Sequence, residues 1–262
     1  MTRGGPARLT RYMMPTAIAL VVAVLALTGY AMLSGDGTPD SSKPSAAAGP
    51  TASASASAGY APPRDWTEPD RWATLPRGAR TNEHGREVAF PHTELGAAAM
   101  MVSSSATLLE GAHGNVAEHD VLFDSYLIAA DRTEEIRQAT KAAAVAADKE
   151  LRRSMGLPES GALPPGVYVR VQPTAFKIIK SGQDEVGAWM LSRVTTKTGE
   201  TAKEAGSHMR SLVAVRWDGD DWKSSTAAYG RAMAVSEPKP EIVAPGDPLF
   251  NTSGWTAIRE AS

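Results

Sequence analysis

LVAVRWDGDDWKSST, residues 212–226, is the stretch that decides the fold. Apolar residues alternate up to Trp217, a polar break follows, and a second tryptophan at 222 restarts the chain. Asp218-Gly219 supplies residues that accept the positive φ angles of a tight turn, so a strand ending at Trp217 should return antiparallel from Trp222 to Thr226. The strand before the turn starts near Met209 and carries Val213, Val215 and Trp217 on one side. Upstream, Val167, Val169 and Val171 alternate with Tyr168 and Arg170, the period of a half-buried strand. Phe176 to Ile179 continues it past Pro173, which belongs at a bulge or an edge because proline cannot donate to a ladder. Ser181 to Glu185 is a turn, and Val186, Ala188, Met190, Ser192 and Val194 form another strand. Residues 166–227 are thus expected to make a curved antiparallel sheet of about four strands.

The region before it repeats at three and four residues. Thr93 can cap a helix whose first turn holds Glu94. Leu95, Ala98, Val102, Ala106 and Leu109 would share one face of it, and Gly111 and Gly114 would end it. A second helix is expected from about Ala117 to Ala130, with Val121, Leu122, Leu127 and Ile128 as its apolar side. Thr133 caps a third, where Ile136, Ala139, Ala143, Ala147 and Leu151 align before Gly156 and Pro158 stop it. Helices first, then a run of antiparallel strands, is an α+β order, with the sheet packed on the N-terminal helices at 93–156. The flanks read as irregular. An arm at 65–92 carries Trp66 and Trp72, large anchors for the domain's own core, and a tail at 237–262 has no period.

The N-terminus sets the address. MMPTAIALVVAVLALTGYAML, residues 13–33, holds no charge and is long enough for a helix across the roughly 30 Å hydrocarbon core of a bilayer. Arg3, Arg8 and Arg11 precede it and no acidic residue appears before Asp36. Residues 1–12 should therefore stay cytoplasmic and the rest be exported. A cleavable signal peptide is the competing reading, with Thr16 to Leu27 as its apolar region and Gly29 and Ala31 as the small residues before a cleavage site. Continuation of the apolar run through Leu33 favours a retained single-pass anchor, in contact with the lipid bilayer through residues 13–33. Residues 34–64, rich in Ala, Ser, Pro and Gly, are expected to be a disordered tether with a reach of order 30 Å.

Composition narrows the chemistry. The 262 residues carry a net charge of −2, three of whose arginines lie before the span, so the exported part has no basic footprint for nucleic acid. The absence of cysteine excludes disulfides, thiolate metal sites and a cysteine nucleophile. His113, His119 and Asp120 fit no common metal spacing and are expected to be solvated in a Gly-rich helix connection. His92, beside the Thr93 cap, is expected at a helix end. Asp218, Asp220 and Asp221 lack the alternation and distal glutamate of a calcium loop, so they read as the hairpin turn. Ser103 to Ser105 lack a G-x-S-x-G elbow. No catalytic, cofactor-binding or metal-binding residue is assigned.

AFPHTELGAAAMM, residues 89–101, resembles the F-x-H-T-x-x-G-A lead-in to the first helix of actinobacterial single-span membrane proteins of conjugative and integrative elements. VRWDGDDWK, residues 215–223, resembles the strand-turn-strand close of those proteins and of nuclear-transport-factor-2-like domains. Phe90, His92, Thr93, Gly96, Asp221 and Trp222 carry the match, all as fold-shaping positions. The resemblance implies a nuclear-transport-factor-2-like exported domain. It also implies kinship with TcpC and other bitopic scaffold subunits of type IV secretion. The expected role is then a membrane-anchored, non-enzymatic scaffold or assembly component of a cell-envelope complex in conjugative DNA transfer. Its partners would be other envelope proteins, self-association included, with no cofactor and no direct nucleic acid contact. The alternative is an exported small-molecule or lipid binding protein using the cone of such a fold. Tyr126, Trp189, Met190, Met209 and Trp217 are the candidate pocket lining, with ordinary core the plainer account because no convergent polar groups accompany them.

Overall fold

The computed structural model describes residues 65–259. The expected span at 13–33 and tether at 34–64 lie outside them, and among the described residues no helix is long and apolar enough to cross a membrane. The elements are β1 (Trp72–Thr74), β2 (Arg80–Thr81), β3 (Glu87–Val88), α1 (Glu94–Ser105), β4 (Thr107–Glu110), α2 (Asn115–Tyr126) and α3 (Glu134–Ser154). There follow β5 (Val167–Ser181), β6 (Glu185–Thr198), β7 (Ala205–Trp217), β8 (Trp222–Ser224), α4 (Thr226–Met233), α5 (Pro248–Thr252) and β9 (Thr256–Arg259).

The α+β class stands, but the sheet is larger than four strands and mixed. Seven strands run in the order β1-β9-β5-β6-β7-β8, with β4 also paired to β5, and β1 lies parallel to β9. The three long strands β5, β6 and β7 are antiparallel, as the short connections between them require. The register shifts between Pro173 and Ala175, at the position where proline called for a bulge. The Trp217–Trp222 hairpin forms across a turn with Gly219 at φ 88°.

Four expectations are corrected. The first helix stops at Ser105, because Ala106 is extended and Leu109 pairs with Val169 in β4; Leu95 is exposed instead of leading the apolar face. The second helix ends at Tyr126, and Leu127 bridges to Ser224. The return strand β8 is three residues long, since Ser225 caps α4 by accepting the Ala228 N–H. The arm and tail are not wholly irregular: β1 and β9 close one flank of the sheet, and Phe250 and Trp255 are buried. Trp72 packs beside them, whereas Trp66 stays 57% exposed.

The sheet is covered on both faces. On the inner face Val186, Ala188, Met190, Val213 and Val215 meet Ala97, Met100 and Met101 of α1, together with Phe90, Tyr126 and Trp222. Further along, Val167, Val169, Val171 and Met209 meet Leu109 and Leu151. On the outer face Ala228 and Ala232 of α4 sit on Leu212 and Ala214. Gly187 permits that approach, because a Cβ there would lie 2.8 Å from Ala232 Cβ. Phe250, Trp255 and Ala257 cover Ala175 and Leu191.

Candidate functional site

The six positions that carry the resemblance converge on one lock. Asp221, buried in the hairpin, accepts the N–H groups of Phe90 and Trp222 on Oδ1, each at 2.9 Å, while its Oδ2 lies 2.9 Å from Lys223 Nζ. The Trp222 indole donates to the Pro91 carbonyl at 2.9 Å. Thr93 caps α1 by accepting the Gly96 N–H, and a Cβ on Gly96 would lie 1.9 Å from the Pro91 oxygen. His92 stacks on Trp217 with ring centroids 4.0 Å apart, its Nε2 3.0 Å from Asp184 Oδ1. Each group fixes the start of α1 against the hairpin and is occupied in doing so.

The residues expected to be solvated in the helix connection are partly interior. Glu118 has no exposed surface; its carboxylate takes Arg86 at 2.6 and 2.5 Å and His113 Nε2 at 2.7 Å. His119 is also fully buried, between α2 and α3. Its Nδ1 lies 3.1 Å from Asp120 Oδ1 and its Nε2 2.6 Å from Thr140 Oγ1, a hydroxyl that is also 2.7 Å from the Ile136 carbonyl. Burial lowers the His119 pKa against the opposing pull of Asp120, which keeps the ring neutral. A carboxylate only accepts, so Nδ1 carries the proton and Nε2 receives the threonine hydroxyl. Asp120, His119 and Thr140 thus stand in the order of a nucleophile relay, but Thr140 is itself fully buried, out of reach of any substrate. Among the described residues no three His, Asp or Glu gather as metal ligands would.

Beside His119 a mostly apolar cavity of about 70 Å³ opens between α2, the edge of β7 and α4. Leu122, Phe123 and Tyr126 line it from α2, Leu212, Val213 and Ala214 from β7, and Ser104, Leu127, Ser224, Ser225, Thr226 and Tyr229 complete it. That volume admits a few waters or one small side chain. Burial pushes the Tyr126 phenol up to about 12, and its O–H donates to the Glu87 carbonyl at 3.1 Å. A shallower surface groove of about 420 Å³ lies at the opposite end of the sheet, around Gly111, Pro165 and Tyr168.

Of the five candidate lining residues, only Tyr126 borders the cavity. Trp189 and Met190 are neighbours on β6 and face opposite sides, as the strand period demands. Met190 is fully buried against α1, and Trp189 lies on the outer face with the Arg210 guanidinium 5.4 Å from its ring centroid. Met209 belongs to the Leu109–Leu151 cluster, and Trp217 stacks with His92. The true lining combines a helix end with a strand edge 86 residues further on, from Tyr126 to Leu212, a juxtaposition carried by no local pattern. The one available signal was the alternation of Leu212 and Ala214 opposite Val213 and Val215. No protein-family model, curated protein or solved structure matches the chain.

Proposed function

We propose that the protein is a membrane-anchored, non-enzymatic scaffold or assembly component of a cell-envelope complex that serves conjugative DNA transfer. The observation that carries the protein-contact part is the filled interior. Met100, Met101, Met190 and Trp222 occupy the space between helices and sheet at 1% exposure or less, and the cavity at its margin is about 70 Å³. A drug-sized or lipid ligand would need several times that room, which argues against the rival reading as a small-molecule or lipid binder that uses the interior cone. The His119 relay ends on a buried hydroxyl, which likewise favours contact over chemistry.

The nuclear-transport-factor-2-like reading of the domain rests on three long antiparallel strands backed by N-terminal helices and closed by the Trp217–Trp222 hairpin. The single-pass topology, N-terminus inside and residues 34–262 outside, rests on the three arginines before an uncharged run. The cysteine-free chain makes a clean test. Ser53→Cys should be labelled from outside intact cells and Gly5→Cys should not; labelling of the latter overturns the topology. Release of the domain by exchanging residues 1–33 for a secreted signal should abolish transfer, because the tether supplies local concentration at the membrane. Full transfer from the released domain overturns the scaffold reading.

A further inference from the structure

Trp66 is the only large aromatic side chain left mostly exposed among the described residues. It is held there by built contacts. Its six-membered ring covers Gly246, where an added Cβ would lie 2.3 Å from the indole Cε3, and the Thr67 N–H donates to the Gly246 carbonyl at 2.8 Å. The indole N–H donates to Glu68 at 3.0 Å, and the other oxygen of that carboxylate takes the Trp72 indole N–H at 2.9 Å. Asn251 of α5 then binds the Asp70 N–H and the Glu68 carbonyl, each at 3.0 Å. The start of the arm and the α5 turn are thus one fixed unit that presents an indole outward.

Leu249, in the first turn of α5, is 54% exposed, and Ile242 of the same tail segment is exposed as well. The remaining exposed apolar side chains, Leu95, Leu108, Val145 and Met233, stand singly on α1, β4, α3 and α4, as surface apolar residues ordinarily do. What the Trp66 unit meets follows from the chain. Only residues 34–65 separate Trp66 from the apolar run that ends at Leu33. A flexible tether of that length has a reach of order 30 Å. It keeps a bilayer surface within range at an effective concentration of about a millimolar, enough for a weak insertion to be populated. Charge selects the kind of surface. Within 65–71 and 246–251, Asp65, Glu68, Asp70 and Asp247 stand against one guanidinium, Arg71. Acidic surroundings oppose anionic lipid and suit the ammonium end of a zwitterionic headgroup, which an indole face also attracts.

We infer that the Trp66–Leu249 unit docks the domain on zwitterionic lipid of the bilayer that holds the chain's own anchor. The indole sits at headgroup level, where tryptophan is favoured, and its N–H enters already satisfied by Glu68. Docking then fixes which faces of the tethered domain are turned toward its partners. A second copy is the poorer occupant, because two such units would bring two sets of carboxylates together.

The inference rests on the anchored reading and is tested on the full, cysteine-free chain reconstituted in phosphatidylcholine vesicles. Leu249→Cys carrying a nitrobenzoxadiazole label should be quenched about twofold by headgroup-labelled TEMPO phosphatidylcholine, as a side chain at that level would be. Val145→Cys on α3, also apolar and exposed, should not be quenched. In the labelled Leu249→Cys chain, Trp66→Ala should abolish the quenching, and Trp66→Tyr, which keeps an amphipathic ring, should retain most of it. Replacing half of the lipid by phosphatidylglycerol should weaken the quenching, and Asp65→Lys with Asp70→Lys, both at exposed positions, should restore it. No quenching, equal quenching at Leu249 and Val145, or quenching untouched by Trp66→Ala overturns the inference. Emission that shifts with protein density and not with spin label assigns the unit to a second copy, and shielding found only in native membranes assigns it to a partner protein; either result overturns it too. The two readings fail separately. An unquenched Leu249 site with Ser53→Cys alone labelled from outside removes only the docking, whereas a quenched site with Gly5→Cys labelled from outside removes only the topology.

Discussion

Replacing Asp221 by alanine tests whether the lock between hairpin and helix lead-in carries real stability. Oδ1 accepts two main-chain N–H groups, Phe90 and Trp222, from residues that are themselves 2% and 1% exposed. Alanine would strand both donors where water cannot replace the carboxylate, at about 1–3 kcal/mol each. Lys223, with a side chain 12% exposed, would keep only the Ser125 carbonyl at 2.9 Å. The sum is about 3–5 kcal/mol, in the range for breaking a buried charged pair from one side. For a domain of this size that is a fall in melting temperature of roughly 10 °C. Asp221→Asn keeps one acceptor oxygen for the two N–H groups and loses only the charge toward Lys223, so it should fall between wild type and alanine. Asp220→Ala is the internal control: that carboxylate is 73% exposed and pairs with Arg80, itself 63% exposed, so its removal should matter by less than about 0.5 kcal/mol. Urea and thermal unfolding of the three variants, followed by tryptophan fluorescence, order them directly. Equal shifts for Asp221→Ala and Asp220→Ala would refute the reasoning, because the buried acceptor would then be doing no more than a surface one.

Trp222→Ala should cost about 3–5 kcal/mol in the same unfolding assay, as expected for an indole that is 1% exposed; an unmoved transition would put that side chain at the surface. Gly96→Ala should destabilise by about 1–3 kcal/mol despite alanine's better helix propensity, because the new Cβ would meet the Pro91 oxygen. A stabilised Gly96→Ala protein, read by circular dichroism melting, would show that the lead-in can yield. Burial lowers the pKa of both His119 and His208, so the unfolded chain takes up their protons first as pH falls below the ordinary value of 6.5. Stability from these two groups is therefore complete above pH 6.5 and declines below it toward their folded values. Urea titrations at successive pH values should show that decline, and His119→Gln with His208→Gln should flatten it. Glu185, held low chiefly by its bond to Arg231, and Asp120, where burial pushes the value up but Lys141 and His119 together outweigh it, add a loss of the same sign only below their ordinary carboxylate range.

The strands of the centre were legible because their signals are local. Val167, Val169 and Val171 alternate on their own, Asp218-Gly219 can do little except turn, and Thr93 and Thr133 cap the helices in which they were expected. What escaped was decided by distant partners. Leu109 satisfies a helical spacing from Leu95 equally well, and only its pairing with Val169 makes it a strand residue. Thr256–Arg259 is four residues long with glycine and proline upstream; it becomes β9 because Ala257 finds Ala175 on one side and Trp72 on the other. His119 reads as a solvated polar residue until Thr140, 21 positions later, is brought against its Nε2. The pocket was misplaced for a related reason, since Trp189 and Met190 cannot share a face and the cavity forms at a strand edge, not over the sheet's centre.

The arm at residues 65–92 shows how a segment with few apolar side chains acquires a fixed place. Its apolar contribution to the core is small, chiefly Ala73, Val88 and Phe90, with Leu75 and Trp72 partly buried. Its polar groups meet acceptors delivered from the body. Arg86 reaches the buried Glu118 of α2, Asn82 donates to Ser125 at 2.9 Å, the Phe90 N–H reaches Asp221, and Asn251 of α5 binds both the Asp70 N–H and the Glu68 carbonyl. Such contacts add modest net stability, because each group leaves water to make them. They do discriminate strongly between positions, since a shift of one residue would leave Glu118 or Asp221 buried without a partner.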